Sequence, residues 1–233
     1  MSKIKKIIPF LLLFILCIPL IWPLLQLGFF VTDDGNWMII RLSAFHQTLR
    51  SGQFPVRFLY PLNHGFGYPV TNFLYPLPFY LGEIIHLFGF GFVDSIKILF
   101  ILSFILGAFF MYLYAGFFAA IIYSYMPYRL FDVYKRGSLG ESVAFIFLPL
   151  IFYLVDKKRI ALASIATAAL ITSHNVIAFI FLPVIFLYSK NIKLIFMALV
   201  LSAWFWLPAL YDLQFTRAAT VQMADFSKYF LFR

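Results

Sequence analysis

The chain of 233 residues is 64% hydrophobic and 21% aromatic, and only 12% of it is charged. A soluble domain carries roughly 25% charged residues, so this composition disfavours a soluble enzyme, a disordered chain and a nucleic-acid-binding domain, and it favours an integral membrane protein. The net charge is +9, from 18 basic and 9 acidic residues, and in a membrane protein the position of each charge is more informative than the total.

The first predicted span lies directly behind a basic N-terminus. Ile7–Phe30 is an apolar run that exceeds the roughly 20 residues a membrane helix needs. Lys3, Lys5 and Lys6 precede this run, and no cleavage site follows it. We therefore predict a retained helix whose N-terminus lies in the cytoplasm, where the basic residues of short segments accumulate.

The segment from Val31 to Asp94 is polar enough to lie outside the membrane, and its first part predicts an amphipathic helix at Asn36–Arg50. The apolar face holds Met38, Leu42, Phe45 and Leu49, and the opposite face holds Asn36, Ser43, Gln47 and Arg50. Such a helix is expected to lie along the membrane surface. A second short interfacial helix is predicted to start within Tyr75–Tyr80.

Asn72–Phe92 is apolar enough to suggest a further span, but it contains Pro76, Pro78, Glu83 and His86. The basic residues of the short loops decide between the two topologies. They are concentrated on the cytoplasmic side if this segment does not cross, and the asymmetry mostly disappears if it does. The tendency of basic loops to stay in the cytoplasm therefore favours the topology in which residues 31–94 form one outer loop.

The remainder of the chain is a series of apolar runs separated by short polar segments. The runs lie near residues 95–115, 116–128, 141–155, 160–173, 176–188 and 192–210. Together with the first span they predict an all-α membrane protein of about seven transmembrane helices, with two juxtamembrane helices in the first outer loop. Residues 1–233 are expected to form a single polytopic membrane domain.

Residues 95–128 form an unusually long apolar stretch. As one helix they would measure about 51 Å, against roughly 30 Å of hydrocarbon. We predict either a very tight turn at Ala115-Gly116 or residues missing at this point. Because the chain also stops at Arg233 in a segment that looks ready to continue, we expect a fragment of a longer protein.

The candidate chemistry starts at Asp33 and Asp34, directly after the first span. One interpretation is a general base or a metal-binding carboxylate beside the membrane surface. The other is a helix cap formed by Asp34, with Asp33 as a solvated neighbour. Both interpretations stay open from the residues alone.

Further polar residues reach the same outer side under this topology. Lys135, Arg136 and Glu141 lie in one short loop between spans, and Arg136 can bind a phosphate through its fork of donors. His174 lies between two apolar runs. The alternatives are a solvated loop with one or two ion pairs and an ordinary turn between helices. In the first interpretation these residues converge with Asp34 on one site.

Motifs along nearly the whole chain resemble those of a known family. In the outer loop these are Asp33-Asp34-Gly35, Leu49-x-x-Gly-x-x-Pro-x-Arg57, Gly65-x-Gly-Tyr-Pro69 and Asn72-Phe-Leu-Tyr-Pro-Leu-Pro-Phe-Tyr80. Later pieces are Tyr134-Lys-Arg-Gly-x-Leu-x-Glu141, His174-Asn175 and Phe205-Trp-Leu-Pro-Ala209. The pattern resembles multi-spanning membrane proteins labelled "6-pyruvoyl-tetrahydropterin synthase-related", which are close to the YfhO-like proteins. These in turn resemble the GT-C superfamily of glycosyltransferases.

The resemblance implies a seven-span module with two juxtamembrane helices and sugar transfer from a polyprenyl-phosphate donor. It maps the catalytic aspartate onto Asp34, which would act as general base. Members of the family often have His where this chain has Asp33, and a second His where it has Met38. They also run far longer than this chain.

We accordingly expect a GT-C-like glycosyltransferase, or its N-terminal membrane module, in the plasma membrane of a prokaryote. Arg136, with Lys135, would neutralise the departing lipid phosphate, while Asp33, Glu141 and His174 would contact or position substrate. A divalent metal at Asp33 and Asp34 is an open option. The alternatives are a transporter or lipid-handling protein without glycosyl transfer, and a non-catalytic scaffold.

Overall fold

The structure is a computed structural model that describes residues 2–217, without the side chains of residues 2–8 and 10. The described residues contain helices and no strand, which confirms the all-α prediction. The helices are α1 (Ser2–Ile21), α2 (Gly35–Arg50), α3 (Val70–Phe73), α4 (Leu77–Leu87), α5 (Phe92–Ala115), α6 (Phe117–Ser124), α7 (Pro127–Phe131), α8 (Leu139–Asp156), α9 (Ile160–Ser173), α10 (Asn175–Ser189) and α11 (Ile192–Asp212). The chain end at Arg233, on which the expectation of a fragment partly rests, lies outside the described residues.

Among the described residues, 3 helices are long and apolar enough to cross a membrane. They are Phe92–Ala115, Leu139–Asp156 and Ile192–Phe215. The first of these is α5, the second is α8, and the third is α11 with the short 3-10 turn that follows it. Length and composition therefore indicate a membrane protein, with fewer full-length spans than the sequence predicts.

The first helix ends earlier than predicted. The apolar run continues to Phe30, but α1 ends at Ile21 and is followed by a 3-10 turn at Trp22–Leu25. Pro23 lies at the start of this turn and cannot donate a backbone hydrogen bond, so the α-helical ladder stops there. Lys97 of α5 then holds the chain that follows: its Nζ donates to the carbonyls of Gln26 at 2.6 Å and Gly28 at 3.2 Å.

The predicted break between residues 115 and 116 is confirmed. Gly116 has a φ of 88°, in the region that favours glycine, and α5 ends directly before it. Residues 116–128, predicted as one span, do not form one continuous helix. Helix α6 is only 8 residues long, and a new short helix starts at Pro127, which cannot continue the hydrogen-bond ladder of a preceding helix.

The two predicted helices of the outer loop are present as α2 and α4. Met38, Leu42 and Phe45 are buried on one face of α2, as the amphipathic pattern predicts. The Phe45 ring stacks on Phe79 of α4, with ring centroids 6.0 Å apart. Helix α4 has 11 residues, about 17 Å of helix, which is too short to cross the hydrocarbon and fits the non-spanning assignment.

Helix α8 is the most buried long helix of the described part and determines where the site lies. It packs between α5 and α9, and its side chains are buried from Leu139 through Leu154 with few exceptions. Its first turn, which carries Glu141, faces the junction of α9 and α10 on one side and a short π-helix at Asp132–Arg136 on the other. Polar residues from distant parts of the chain therefore meet at this end of α8.

Candidate functional site

The site is built on backbone contacts between two segments about 100 residues apart. The amide of Asp33 donates to the carbonyl of Lys135 at 2.9 Å, and the amide of Asp34 donates to the carbonyl of Arg136 at 2.8 Å. Gly137 makes this approach possible, because a Cβ at this position would lie 2.5 Å from Thr32 Oγ1 and 2.7 Å from the Gly35 amide. The two aspartates are thus fixed directly beside the basic pair.

Arg136 is the centre of an ion-pair cluster. Its Nη1 donates to Asp132 Oδ1 at 2.9 Å and to Glu141 Oε1 at 2.7 Å. The Tyr128 hydroxyl donates to the other Glu141 oxygen at 2.5 Å, so both oxygens of this carboxylate are occupied. Glu141 and Asp132 are buried, while about a third of the Arg136 side chain is exposed. The guanidinium therefore faces the buried acids on one side and open space on the other.

Two acids share one guanidinium in this cluster, and their pKa values shift in opposite directions. Burial, followed by the negative charge of Glu141, raises the pKa of Asp132 to about 8, against the opposing effect of Arg136. The Ser142 hydroxyl donates to Asp132 Oδ2 at 3.3 Å, which opposes the rise only in part. Beside this guanidinium, ionisation is therefore easier for Glu141 than for Asp132.

His174 joins the cluster from the junction of α9 and α10. Its Nε2 lies 3.7 Å from Glu141 Oε1, and its Nδ1 accepts a hydrogen bond from the amide of Ile177 at 3.3 Å. This acceptor role assigns the proton of a neutral ring to Nε2, facing Glu141. Burial lowers the pKa of His174, while Glu141 raises it and Arg136 lowers it further. The ring also stacks on Tyr75, with centroids 5.3 Å apart.

Asp33 and Asp34 have different surroundings although they are neighbours. Asp33 Oδ1 forms an exposed ion pair with Lys135 Nζ at 2.6 Å. Asp34 is exposed, and within residues 2–217 its carboxylate has no hydrogen bond and no ion pair. Asp34 is therefore the carboxylate of this site that is open to a ligand.

The capping role predicted as one alternative for Asp34 is wrong. Asp34 occupies the N-cap position of α2, but its side chain accepts no capping hydrogen bond. Thr32 Oγ1 instead accepts from the amide of Gly35 at 2.9 Å. One hydroxyl three residues upstream thus satisfies an orphan amide of the helix start, and the Asp34 carboxylate is released from that role.

Tyr75 and Arg41 also belong to this site, and sequence reasoning did not assign them to it. Burial raises the pKa of the Tyr75 hydroxyl, and the charges of Arg41, Asp34, Glu141 and Arg136 act on it in addition. The Tyr75 hydroxyl therefore lies among four charged side chains. Arg41 follows Asp34 by seven residues on α2, about two helical turns, and this spacing was the signal that could have placed it on the Asp34 side of the helix.

The divalent metal considered at Asp33 and Asp34 has no larger set of ligands among the described residues. Among residues 2–217 no group of three or more His, Cys, Asp or Glu side chains is arranged to hold a metal ion. Asp33, one of the two carboxylates considered for this role, is paired with Lys135.

Comparisons with protein-family models, with curated proteins and with solved structures found no match for this chain. What the chain itself offers is a site in which Asp34, Arg136, Glu141 and His174 lie at one end of α8.

Proposed function

We propose that this chain is a GT-C-like glycosyltransferase, or the N-terminal membrane module of one, that transfers a sugar from a polyprenyl-phosphate donor. The observation that carries the proposal is the pairing of an unoccupied carboxylate with a partly exposed guanidinium. Asp34 has no partner within the described range, and its backbone amide is bonded to the residue that bears this guanidinium, Arg136. An acid–base group and an anion-binding group are the two parts such a transfer needs side by side.

In the proposed reaction Asp34 is the general base. It accepts the proton of the acceptor hydroxyl as the hydroxyl oxygen attacks the anomeric carbon of the donor sugar. The bond between that carbon and the phosphate oxygen breaks, and the electron pair leaves with the lipid phosphate. Asp34 then carries the proton, and the negative charge resides on the departing phosphate.

Arg136 is proposed to bind the phosphate. Only its Nη1 is used by Asp132, Glu141 and Tyr128, so within residues 2–217 Nη2 and Nε have no hydrogen-bond partner. Lys135 would contribute by releasing Asp33 and binding the phosphate in its place. The Asp33 carboxylate would then be free to contact the substrate. Glu141 holds the Arg136 guanidinium in place through its ion pair, and His174 holds the Tyr75 ring through the stacking contact. Glu141 and His174 lie beside each other and would border the bound acceptor.

The proposed topology has seven crossings and an extracytoplasmic site. In it α1, α5, α8, α9, α10 and α11 cross, together with residues 116–128 as a short broken segment. The basic residues Lys157, Lys158 and Arg159 then lie at the cytoplasmic end of α8, opposite the end that carries Glu141. This arrangement follows the usual preference of basic loops for the cytoplasm and would fit the plasma membrane of a prokaryote.

The assignment of Asp34 is tested by Asp34→Asn in the full chain embedded in lipid. The amide keeps the size of the side chain but accepts no proton, so transfer of a labelled sugar from polyprenyl phosphate should fall roughly 10²- to 10⁴-fold. Asp94→Asn is the matched control, because Asp94 is also an exposed acid, with 59% of its side chain accessible. Turnover of Asp34→Asn at the rate of the control would contradict the assignment.

A second candidate function, a transporter or lipid-handling protein, is favoured by one observation. Arg129 is 1% exposed, lies directly after the break between α6 and α7, and its Nη1 has no hydrogen-bond partner within the described residues. Buried ionisable residues and broken helices are typical of transport pathways. The assay above separates the two functions, since a transporter would not consume the donor lipid in any variant.

A further inference from the structure

A groove of about 660 Å³ lies between α2 and the loop at residues 59–68. One wall is formed by Trp37, Ile40 and Arg41 of α2, and the other by residues 61–64 and Tyr68 of the following loop. No carboxylate is among the residues that line it. The groove therefore has apolar walls and positive character, with Arg41 as its permanent charge.

The loop that forms the second wall is held rigidly. Leu59 and Tyr68 exchange backbone hydrogen bonds of 2.9 and 3.1 Å, and the amide of Gly67 donates to the carbonyl of Leu62 at 2.9 Å. Within this frame Asn63 and His64 have φ values of 54° and 58°, which side-chain-bearing residues rarely adopt. Strained backbone of this kind persists where the surrounding structure fixes it and is concentrated at ligand sites.

Arg41 is the arginine of this groove, and its charge has no acidic partner there. It is half-buried, and within residues 2–217 no hydrogen bond or ion pair to its guanidinium is present. Lys135 and Arg136, by contrast, are both paired with acids. An arginine fork presents five donors in a plane and matches the oxygens of a phosphate, so an unpaired one in a groove without acids is suited to bind that group.

The exposed apolar residues around Arg41 indicate what kind of molecule bears the phosphate. Trp37 is 57% exposed, Ile40 46% and Tyr68 51%, and all three border the groove. Tryptophan and tyrosine at the edge of an interfacial helix are typical of contact with lipid at headgroup depth. The mouth of the groove can thus accept an acyl chain next to the phosphate.

We propose that the groove between α2 and the loop at residues 59–68 binds the phosphate headgroup of an anionic lipid, with Arg41 as the residue that holds the phosphate. The lining of the groove does not include Asp34, Lys135 or Arg136, although the charge of Arg41 also reaches Tyr75 of the ion-pair site. This lipid site does not depend on sugar transfer, since it is argued from the groove alone.

The test measures lipid binding to the full chain in phosphatidylcholine nanodiscs, using native mass spectrometry. The probe is phosphatidic acid, and diacylglycerol with the same acyl chains is the neutral control lipid. Arg41→Gln should weaken binding of phosphatidic acid roughly 10- to 100-fold, as expected for loss of a charge-assisted hydrogen bond. Arg50→Gln on the same helix is the matched control, because Arg50 is exposed and does not line the groove.

A second measurement locates the bound lipid. Trp37 lies in the groove, so a variant that keeps Trp37 and replaces Trp22, Trp204 and Trp206 with Phe should change its fluorescence on binding. Inorganic phosphate added as competitor distinguishes the sources: displacement means that the phosphate group alone is recognised, and no displacement means that the acyl chain is needed too. Both results support the proposal. Equal binding of diacylglycerol, or wild-type affinity in Arg41→Gln, would overturn it.

Discussion

Asp33 and Asp34 illustrate how far the roles of two identical side chains diverge. The two residues make equivalent backbone hydrogen bonds to Lys135 and Arg136. One carboxylate is used in an ion pair, and the other is open. Sequence reasoning could name both residues and their basic partners because ionisable groups are rare in this chain. It could not choose the cap, since Thr32 and Asp34 are both ordinary capping residues and only their geometry separates them.

Arg41 and Tyr75 show what the sequence could not indicate at this scale. Arg41 lies on an amphipathic helix, and contact with the membrane surface is enough to account for the polar residues of such a helix. Its proximity to Tyr75 becomes apparent only from the packing of α2 in the folded protein. Tyr75 reaches His174 across 99 positions of sequence, through a ring contact that depends on the packing of α9 and α10. Pairings of this kind are determined by tertiary contacts rather than by local pattern.

The buried Asp132 predicts how stability depends on pH. Its folded pKa of about 8 is above the ordinary pKa of 3.8, so the folded protein binds more protons than the unfolded chain between these two values. The free energy of unfolding should then fall as pH rises from about 5 to 8, because the unfolded state gains from ionisation and the folded state does not.

Asp132→Asn removes this titration and should flatten that decline. The measurement is the thermal unfolding temperature in detergent at pH 5, 6, 7 and 8, and the quantity compared is the slope for the variant against the slope for the wild type. Asp94→Asn, an exposed acid near Lys97, should keep the wild-type slope. Equal slopes for Asp132→Asn and the wild type would show that Asp132 is ionised in the folded protein.

At the scale of the elements, Gly137 joins two segments that no helix connects. Its φ is 69°, and a Cβ would meet Thr32 and the backbone of Gly35 within 3.0 Å. Gly137→Ala should therefore separate the Asp34 segment from Arg136 and reduce transfer more than it reduces expression. The backbone penalty alone is about 1 kcal/mol, and the steric contact adds to it.

Gly52→Ala is the control that isolates the contact. Gly52 also has a positive φ, of 96°, but a Cβ there would meet nothing within 4 Å. Both variants carry similar backbone strain, and only Gly137→Ala carries the clash. The assay compares transfer rates and unfolding temperatures of the two variants. The same loss in both would mean that backbone strain, rather than the approach of the segments, is responsible.

The sequence predicted the helices of the outer loop well and the segment after α5 poorly. The face of α2 follows from its periodicity, and Gly116 marks a break that the hydropathy alone requires. The span predicted for residues 116–128 is divided between two short helices, because Pro127 interrupts the ladder and Arg129 inserts into the core. There its guanidinium lies over the rings of Tyr123 and Phe104, at 4.8 and 5.0 Å. Aromatic partners of a buried cation are indistinguishable from lipid-facing residues in a hydropathy profile.

For the whole molecule, the proposed topology predicts which residues a reagent can reach from outside the cell. Cys17 is the only cysteine in the sequence and is buried, so Cys17→Ser gives a background for single introduced cysteines. A membrane-impermeant maleimide should label Gln47→Cys in intact cells. It should label Lys157→Cys only after the membrane is opened.

Both positions are exposed in the structure, so a difference in labelling reports the side of the membrane rather than burial. Labelling of Lys157→Cys in intact cells, with Gln47→Cys protected, would invert the topology and place the candidate site in the cytoplasm. Labelling of both in intact cells would mean that these two loops lie on the same side, which the arrangement of α2 and α8 proposed above does not allow.

The bond between the Asp34 segment and residues 135–137 also has a consequence for the order of events during synthesis. Asp33 and Lys135 are 102 positions apart, so the partner of the aspartates is made well after them. At a typical translation rate of roughly 5–20 residues per second, the aspartate segment waits about 5–20 s before it can dock. Until then α2 has its apolar face but no fixed N-terminal anchor. A nascent chain halted before residue 135 should insert its first helices and still lack the site. The site can therefore form only after residues 135–137 have been made and have docked on the Asp34 segment.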